Sequence, residues 1–168
     1  MRHTLILLRH AKSDWPDGVA DHERPLNERG RRDAPRTGAW LVAESRVPDR
    51  AAVSTAVRTR ETFGLAAEAF PAEPETVFLD DLYGASPGEM IEVIRATPES
   101  VGTLLVVSHN PGTQQLAAIL ADGSNPDLVA RVHARYPTNT ATVLEFDGDW
   151  ATLDPGGASI VAVESPRG

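Results

Sequence analysis

The order of apolar and helical segments predicts an α/β protein, a three-layer α/β/α sandwich with a mostly parallel central sheet and an antiparallel edge strand. Short apolar runs alternate with segments of helical periodicity, which is typical of strand–helix–strand units and therefore of parallel strands. Near the C-terminal end one segment instead alternates apolar and polar residues, as a half-exposed antiparallel strand does. The 168 residues contain no internal repeat or low-complexity linker, so we expect a single domain spanning residues 1–168.

The first half of the chain contains three short apolar runs that we predict as strands, Thr4–Leu8, Ala51–Ser54 and Val77–Leu79. Helical patterns follow the first two of them, over Asn27–Glu44 and Ala56–Ala69. Because helices connect the strands, we expect right-handed crossovers and parallel neighbours.

Particular residue types mark where the helices begin. Asn27 is a candidate N-cap of the first helix, and Ser86 followed by Pro87 is typical of a helix start after the third strand. Pro35 lies inside the first helical segment and has no backbone N–H, so we expect either a kink there or a helix that starts late. The apolar residues roughly on one side of this helix are Leu26, Ala34, Leu41 and Val42.

The second half of the chain contains the most hydrophobic predicted strand, Thr103–Val107. Asn110 and Pro111 open the next helix, which carries an apolar stripe. That stripe consists of Leu116, Ile119 and Leu120. The periodicity is then weak until Thr140–Phe146, which is rich in β-forming residues, and Ile160–Val163 is a candidate edge strand.

Composition and charge argue against several classes of protein. The formal net charge of −8 produces a field that repels nucleic acid and anionic membranes, so we expect neither as a partner. No apolar run approaches the roughly 20 residues that a bilayer-spanning helix needs. The absence of cysteine rules out disulfides and thiol catalysis, and it favours a cytoplasmic location. Nothing in the sequence predicts an oligomeric state.

Basic side chains follow three of the predicted strands at the point where each strand ends. The first strand ends in Arg9 and His10. The second is followed by Arg58 in the first turn of its helix, and the fourth by His109. Because the carboxyl ends of parallel strands lie at one edge of a sheet, we expect these four side chains to meet. Together with a helix N-terminus they offer donors from several directions, which suits a tetrahedral phosphoryl group better than a carboxylate.

Other kinds of catalytic site are not supported. The five histidines show none of the close spacings of a zinc site, and arginines beside the pocket would repel a divalent cation, so we expect no metal and no cofactor. No GxSxG elbow, Walker A loop or GxGxxG fingerprint is present. The adjacent Asp80 and Asp81 are either two acids of a site or the solvated end of a strand.

Five separated motifs resemble those of one family. They are LLRHAKS around His10, RPLNERGRRDA at 24–34, STAVRTRET at 54–62, LDDLYGA at 79–85 and VVSHNPG at 106–112. In this order they resemble the signatures of the histidine phosphatase superfamily, with Ala11 where the family usually has glycine. The RHAKS form and the absence of a large helical cap look most like its phosphohistidine phosphatase branch, the SixA type. The resemblance implies a phosphoglycerate mutase-like fold.

The resemblance also implies roles for the basic residues at the strand ends. His10 matches the family's nucleophile, which takes the phosphoryl group. Arg9, Arg58 and His109 match its phosphate-pocket residues. Water would then hydrolyse the phosphohistidine intermediate, with no metal ion involved. The neighbouring arginines are expected to disfavour protonated His10 and so to keep it reactive near neutral pH.

Residues around the rim of the expected pocket have alternative interpretations. Arg24 is either a substrate contact at the mouth or a surface charge, and Ser13 is a candidate for a hydroxyl contact. Family members that act on phosphate esters protonate the leaving alcohol with an acid after the third strand, where Asp81 is the best positional match and Asp80 the alternative. A phosphohistidine substrate has a labile P–N bond and needs no strong acid.

We therefore expect a metal-independent phosphatase that acts through phosphorylated His10 on protein phosphohistidine. The alternative is a phosphomonoesterase of a small phosphate ester, with Asp81 as its proton donor. A third reading, from another functional class, is a non-catalytic binder of phosphate or a phosphoprotein, and the intact set of four basic residues argues against it.

Overall fold

The computed structural model describes residues 1–168, which form six strands and five α-helices. The strands are β1 (Arg2–Arg9), β2 (Arg50–Ser54), β3 (Glu75–Leu79), β4 (Thr103–Ser108), β5 (Ala141–Asp147) and β6 (Ser159–Glu164). The helices are α1 (Glu28–Ala43), α2 (Val57–Ala67), α3 (Pro87–Arg95), α4 (Gly112–Leu120) and α5 (Pro126–Ala134). None of the helices is both long and apolar enough to cross a bilayer. All six predicted strands are present.

The six strands form one mixed sheet in the order β3–β2–β4–β1–β5–β6. The pairs β1–β4, β4–β2 and β2–β3 are parallel, whereas β5 pairs antiparallel with both β1 and β6. The predicted α/β class with a mostly parallel sheet is confirmed. The antiparallel part contains two strands, because β5 and β6 are joined without a helical crossover.

Both faces of the sheet are covered by helices, as the alternation of side chains along β1 illustrates. Leu5 and Leu7 pack into a core with apolar residues of α3, α4 and α5. Ile6 and Leu8 point to the opposite face and pack with residues of α1 and α2. These two cores on either side of one sheet confirm the three-layer α/β/α architecture.

The predicted helix starts agree with the observed ones. The Asn27 side chain caps α1 by accepting a hydrogen bond of 2.9 Å from the Gly30 backbone N–H. At α3, Ser86 and Glu89 form a reciprocal capping box, and Pro87 occupies the first helical position. Of the two alternatives expected at Pro35, a kink or a late start, the late start is wrong, because α1 begins at Glu28 and continues through Pro35.

Three details differ from the sequence-based expectations. Helix α4 begins at Gly112, two residues later than predicted. Helix α5 was not predicted, because Val132 is its only buried residue and a nine-residue helix with one buried position has little periodicity. Ile119 and Val42, which belong to the predicted apolar sides of their helices, are 40% and 38% exposed.

Helices α1 and α2 are in close backbone contact at Gly38. A Cβ atom at this position would lie 1.9 Å from the Ala66 carbonyl oxygen. Gly64 on α2 provides a contrast, since a Cβ there would meet nothing within 4 Å. The glycine at 38 is therefore required for the packing of the two helices, whereas the one at 64 is not.

We expect Gly38→Ala to lower the free energy of unfolding by about 2 kcal/mol or more, because two backbones would have to separate. Gly64→Ala is the matched control, and we expect it to be neutral or to stabilise by up to about 1 kcal/mol through helix propensity. Urea denaturation of both variants measures the difference. Equal stability of the two variants would contradict the close contact at Gly38.

Candidate active site

Residues at the carboxyl ends of the central strands line a small polar cavity. Parallel pairing sets Arg9 of β1 opposite Ser108 of β4, so both strands end at the same level. The cavity has a volume of about 230 Å³. Its lining consists of Arg9, His10, Lys12, Ser13, Trp15, Arg24, Arg58, His109, Asn110 and Thr138. The four basic residues expected to meet therefore do so, and Arg24 and Ser13 join them.

His10 lines this cavity, and one of its two ring nitrogens is already engaged in a hydrogen bond. Its Nδ1 lies 2.7 Å from the Ala11 carbonyl oxygen. A carbonyl only accepts hydrogen bonds, so Nδ1 carries the proton and Nε2 keeps its lone pair. The backbone is fixed too, because the His10 carbonyl accepts a 2.9 Å hydrogen bond from the Asn139 N–H. The side chain is therefore oriented with a bare Nε2.

Burial and nearby positive charge keep the His10 ring neutral. The pKa of His10 is lowered to about 3, chiefly by loss of solvation and in smaller part by His109, Arg58 and Arg9. The hydrogen bond to Ala11 acts in the opposite direction. The sequence predicted the effect of the arginines, but burial of the ring is the larger cause.

His109 faces His10 across the cavity, with ring centroids 5.4 Å apart. Its Nε2 is 2.8 Å from the buried hydroxyl of Ser54 at the end of β2. Its Nδ1 is buried without any hydrogen-bond partner in the chain. Burial and then the charge of Arg58 lower the pKa of His109 to about 4. The sequence predicted Ser54 only as the last residue of a strand, and its contact with His109 was not predicted.

Arg9, the last residue of β1, lines the cavity and contacts the segment after α5. One of its terminal nitrogens donates a 2.8 Å hydrogen bond to the Tyr136 carbonyl, and its Nε is buried without a partner. Burial lowers the pKa of Arg9 from its usual value. The guanidinium thus has donor capacity left over inside the site.

Asp21, which the sequence analysis did not identify, connects the two other arginines of the cavity. Its carboxylate and carbonyl oxygens accept hydrogen bonds of 3.1 Å and 2.7 Å from Arg58. The same carboxylate accepts a 2.9 Å bond from Arg24 and a further one from the Tyr83 hydroxyl. Hydrogen bonds from Tyr83, Arg24 and Arg58 hold the pKa of Asp21 well below its usual range. The Asp21 carboxylate is therefore the counter-ion of Arg24 and Arg58 within the chain.

Arg24 is tied into the rim of the cavity rather than free within it. It is 6% exposed and donates to the Asp14 carbonyl at 2.9 Å and to the Ser13 hydroxyl at 2.6 Å. Its guanidinium carbon lies 3.2 Å from the ring centroid of Trp15, whose side chain is 73% exposed. The expected hydroxyl of Ser13 therefore reaches the cavity already bound to Arg24, and Trp15 forms an aromatic rim.

The two aspartates after β3 do not line the cavity that holds His10. Asp81 lies in a separate and larger cavity of about 580 Å³, beside Leu79 and Glu89. Asp80 accepts a hydrogen bond from Thr55, whose hydroxyl is also 2.9 Å from His22 Nε2. The structure therefore does not bring Asp81 together with the four basic residues. Asp80 is hydrogen-bonded to Thr55, and through the Thr55 hydroxyl it is linked to His22. No group of three His, Asp or Glu residues in the chain could hold a metal ion.

Comparison with known proteins identifies relatives over nearly the whole chain. Residues 5–99 match the family model of the histidine phosphatase superfamily, branch 1. An uncharacterised protein of Mycobacterium tuberculosis is 43% identical over 162 residues, covering 95% of this chain and all of the relative. An uncharacterised protein of Mycobacterium leprae is 36% identical with the same coverage.

Solved structures with the same fold include candidate phosphohistidine phosphatases named SixA. The SixA structure from Nakamurella multipartitia superposes with a TM-score of 0.86 at 30% identity, covering 99% of this chain and 97% of that one. The structure from Agrobacterium tumefaciens has a TM-score of 0.81 at 28% identity, with 98% of both chains covered. Likeness therefore extends over the whole chain and includes every strand that lines the cavity.

We expect the neutral histidines to make stability depend on pH in a defined direction. His10 and His109 have lowered pKa values in the folded state, so the unfolded chain binds more protons below about pH 6.5. The contribution of these two histidines to the free energy of unfolding is therefore fully present above about pH 6.5. It is lost as the pH falls towards their pKa values in the folded state. Between pH 7.5 and 5.0, replacing His10 with Asn should reduce this decrease by about 1–2 kcal/mol.

Urea denaturation of the parent protein and of the His10→Asn variant at both pH values measures this contribution. The comparison uses the change with pH within each protein, so an overall loss of stability in the variant does not affect it. The same pH dependence in both proteins would contradict a neutral, buried His10.

Proposed function

Because the chain belongs to the histidine phosphatase superfamily, we propose that it hydrolyses phosphohistidine in proteins through a phosphorylated His10. The family and the SixA-type structure make it a phosphatase. The choice of substrate rests on one observation, which is that none of the residues lining the His10 cavity is a carboxylate. An alcohol leaving group needs a proton donor, whereas the imidazole released from a P–N bond is a much better leaving group. The lining thus favours phosphohistidine over a phosphate ester.

In the first step, Nε2 of neutral His10 attacks the phosphorus atom of the substrate. The new N–P bond forms with the lone pair that the Nδ1–H···O=C contact with Ala11 leaves on Nε2. The P–N bond of the substrate breaks, and its electrons stay with the departing imidazole, which takes a proton from solvent. Because the ring is neutral at physiological pH, the attack does not have to wait for a deprotonation.

In the second step, water attacks the phosphorus of phosphorylated His10. The Nε2–P bond breaks, its electrons return to the ring, and inorganic phosphate leaves with the oxygen of the water. The proton released by the water passes to the phosphate or to solvent. Both steps transfer a phosphoryl group whose equatorial oxygens carry spread negative charge, so preorganised donors accelerate each of them.

The unpartnered donors of the cavity are the groups that we assign to these oxygens. Arg9 Nε is buried without a partner, and so is Nδ1 of His109. If the Ser54 hydroxyl donates to Nε2 of His109, the His109 proton lies on Nδ1, where it can be donated to a phosphoryl oxygen. Arg58 supplies charge from the third side while it stays paired with Asp21.

A second candidate function is hydrolysis of a small phosphate ester. The hydrogen bonds from Asp80 through Thr55 to His22 favour it, because they link a carboxylate to an imidazole that is in edge contact with Tyr83. Asp81, the acid expected from the family pattern, would have to act from its separate cavity. This candidate therefore needs a rearrangement that the phosphohistidine reaction does not.

The decisive measurement is phosphate release from a phosphohistidine peptide and from p-nitrophenyl phosphate, both with chelator present. We expect kcat/KM for the peptide to exceed that for the ester by at least about tenfold, and His10→Ala to reduce both by about a thousandfold or more. Brief exposure to substrate followed by denaturation should trap an acid-labile phosphate on the parent protein and none on the variant.

The other outcomes identify the alternatives. Faster release from the ester would support a metabolite phosphatase. Binding of phosphopeptide without turnover by the parent protein would support a non-catalytic binder. Activity that survives His10→Ala, or that disappears with chelator, would overturn the mechanism.

The acid of the second candidate is tested with Asp81→Asn and Asp80→Asn. If either residue protonates a leaving alcohol, its loss should lower kcat for esters of poor leaving groups by about a hundredfold, with less effect on p-nitrophenyl phosphate. Under the phosphohistidine proposal we expect neither variant to show this dependence on the leaving group. Ester hydrolysis rates over a series of phenols of different pKa measure it.

A further inference from the structure

A second groove, separate from the His10 cavity, is lined by three exposed arginines. It has a volume of about 440 Å³, and we call it the basic groove. Its lining consists of Arg131, Ala134, Arg135, Pro137, Thr140, Val163, Ser165 and Arg167. None of these residues is acidic. The net charge of the chain is −8, so a surface with three arginines and no acidic residue is a local feature that the overall charge does not predict.

Two of the three arginines of the basic groove differ from most other arginines of the chain in having no partner for their side chains. Arg2, Arg50 and Arg95 are each paired with a carboxylate on the surface. Arg131 and Arg135 form neither an ion pair nor a side-chain hydrogen bond within the chain and are exposed on and just after α5. Their guanidinium groups are therefore available to an incoming anion without breaking an internal contact.

Arg167 completes the groove from the other side and is held in place. It donates hydrogen bonds of 3.1 Å and 3.0 Å to the carbonyls of Thr138 and Pro166, and it lies 3.6 Å from Asp33. The groove also contains a hydroxyl pair, since Thr140 Oγ1 and Ser165 Oγ are 2.6 Å apart. The site thus combines one anchored arginine with two unrestrained ones.

A single short segment, residues 137–140, separates the basic groove from the His10 cavity. Pro137 and Thr140 line the groove, whereas Thr138 lines the cavity. The same segment supports the nucleophile, because the backbone N–H of Asn139 donates to the His10 carbonyl. A chain that leaves the cavity on this side would therefore pass directly into the groove.

We propose that the basic groove binds an acidic segment of the protein substrate, next in sequence or in space to the phosphohistidine. This inference rests on the proposed function and adds a determinant of substrate choice to it. Carboxylates are the complementary groups, and arginine binds them with two parallel hydrogen bonds. Because the chain carries a net charge of −8, an acidic partner is repelled by the molecule as a whole and attracted where arginines concentrate. The basic groove would therefore orient such a partner with its phosphohistidine towards His10.

The test compares two phosphohistidine peptides, one with flanking glutamates and one with glutamines in their place, together with phosphoramidate, a P–N substrate without a peptide. We expect the parent protein to prefer the glutamate peptide about tenfold in kcat/KM at low salt, and to lose this preference as the salt concentration rises. The double variant Arg131→Glu/Arg135→Glu should lower the ratio of glutamate to glutamine peptide about tenfold or more. Circular dichroism confirms that it is folded.

Arg60→Glu is the matched control. Arg60 is also exposed and without an ion pair, but it lies on α2 near Phe78 and lines a different cavity. We expect this variant to keep the peptide preference of the parent protein. Arg60→Glu reverses one charge where the double variant reverses two. A loss of preference in Arg60→Glu that is half as large on a logarithmic scale would mean that net charge, rather than the basic groove, selects the peptide, and it would overturn the inference.

The remaining outcomes separate this inference from the proposed function. Turnover of both peptides at equal rates, unchanged in the double variant, would overturn the role of the groove and leave the phosphatase proposal intact. Turnover of phosphate esters without turnover of either peptide would instead contradict the proposed substrate. A single-stranded oligonucleotide that binds tighter than the glutamate peptide, and loses binding in the double variant, would make the groove a nucleic-acid site and overturn the inference.

Discussion

The carboxylate of Asp21 is the interaction on which the rest of the site depends. Two guanidinium groups, Arg24 and Arg58, are each more than nine-tenths buried, and a buried charge without a partner is strongly destabilising. Asp21 supplies that partner from a short 3₁₀ turn, and it stays about half exposed to solvent. The chain can therefore fold with its positive charge already in position, before any phosphate arrives to compensate it.

The same burial that requires a counter-ion also determines the protonation of the two histidines. Removing solvent from His10 and His109 is the largest cause of their lowered pKa values, and the nearby guanidinium charges add to it. A site that concentrates permanent cations thus keeps its imidazoles neutral. The arginines are charged and the histidines neutral because arginine keeps its proton at almost any pH, whereas histidine gives up its proton readily.

The sequence predicted the parts of this site that come directly after strands, and it missed those that come from loops. Arg9, His10, Arg58 and His109 could be placed together because parallel strands end at one edge of a sheet. Asp21 and Trp15 could not, because the loop from β1 to α1 has no periodicity that would show where it folds. Asp81 shows the limit of the same inference, since its position after β3 predicted proximity to His10, whereas its side chain lines another cavity.

The hydrogen bond that orients the ring of His10 joins neighbours in the sequence, because its acceptor is the carbonyl of Ala11. The tautomer of His10 is thus determined by the next residue in the sequence, while the Asn139 N–H and the Thr62 hydroxyl hold the backbone of His10 and Ala11 in place. The rim, by contrast, is assembled from the β1–α1 loop and the segment after α5. Those parts of the rim that do not hold His10 can therefore change during evolution, and with them the molecules that are admitted, while Nε2 of His10 keeps its position. One reaction can then be carried out on different substrates by proteins of the same fold.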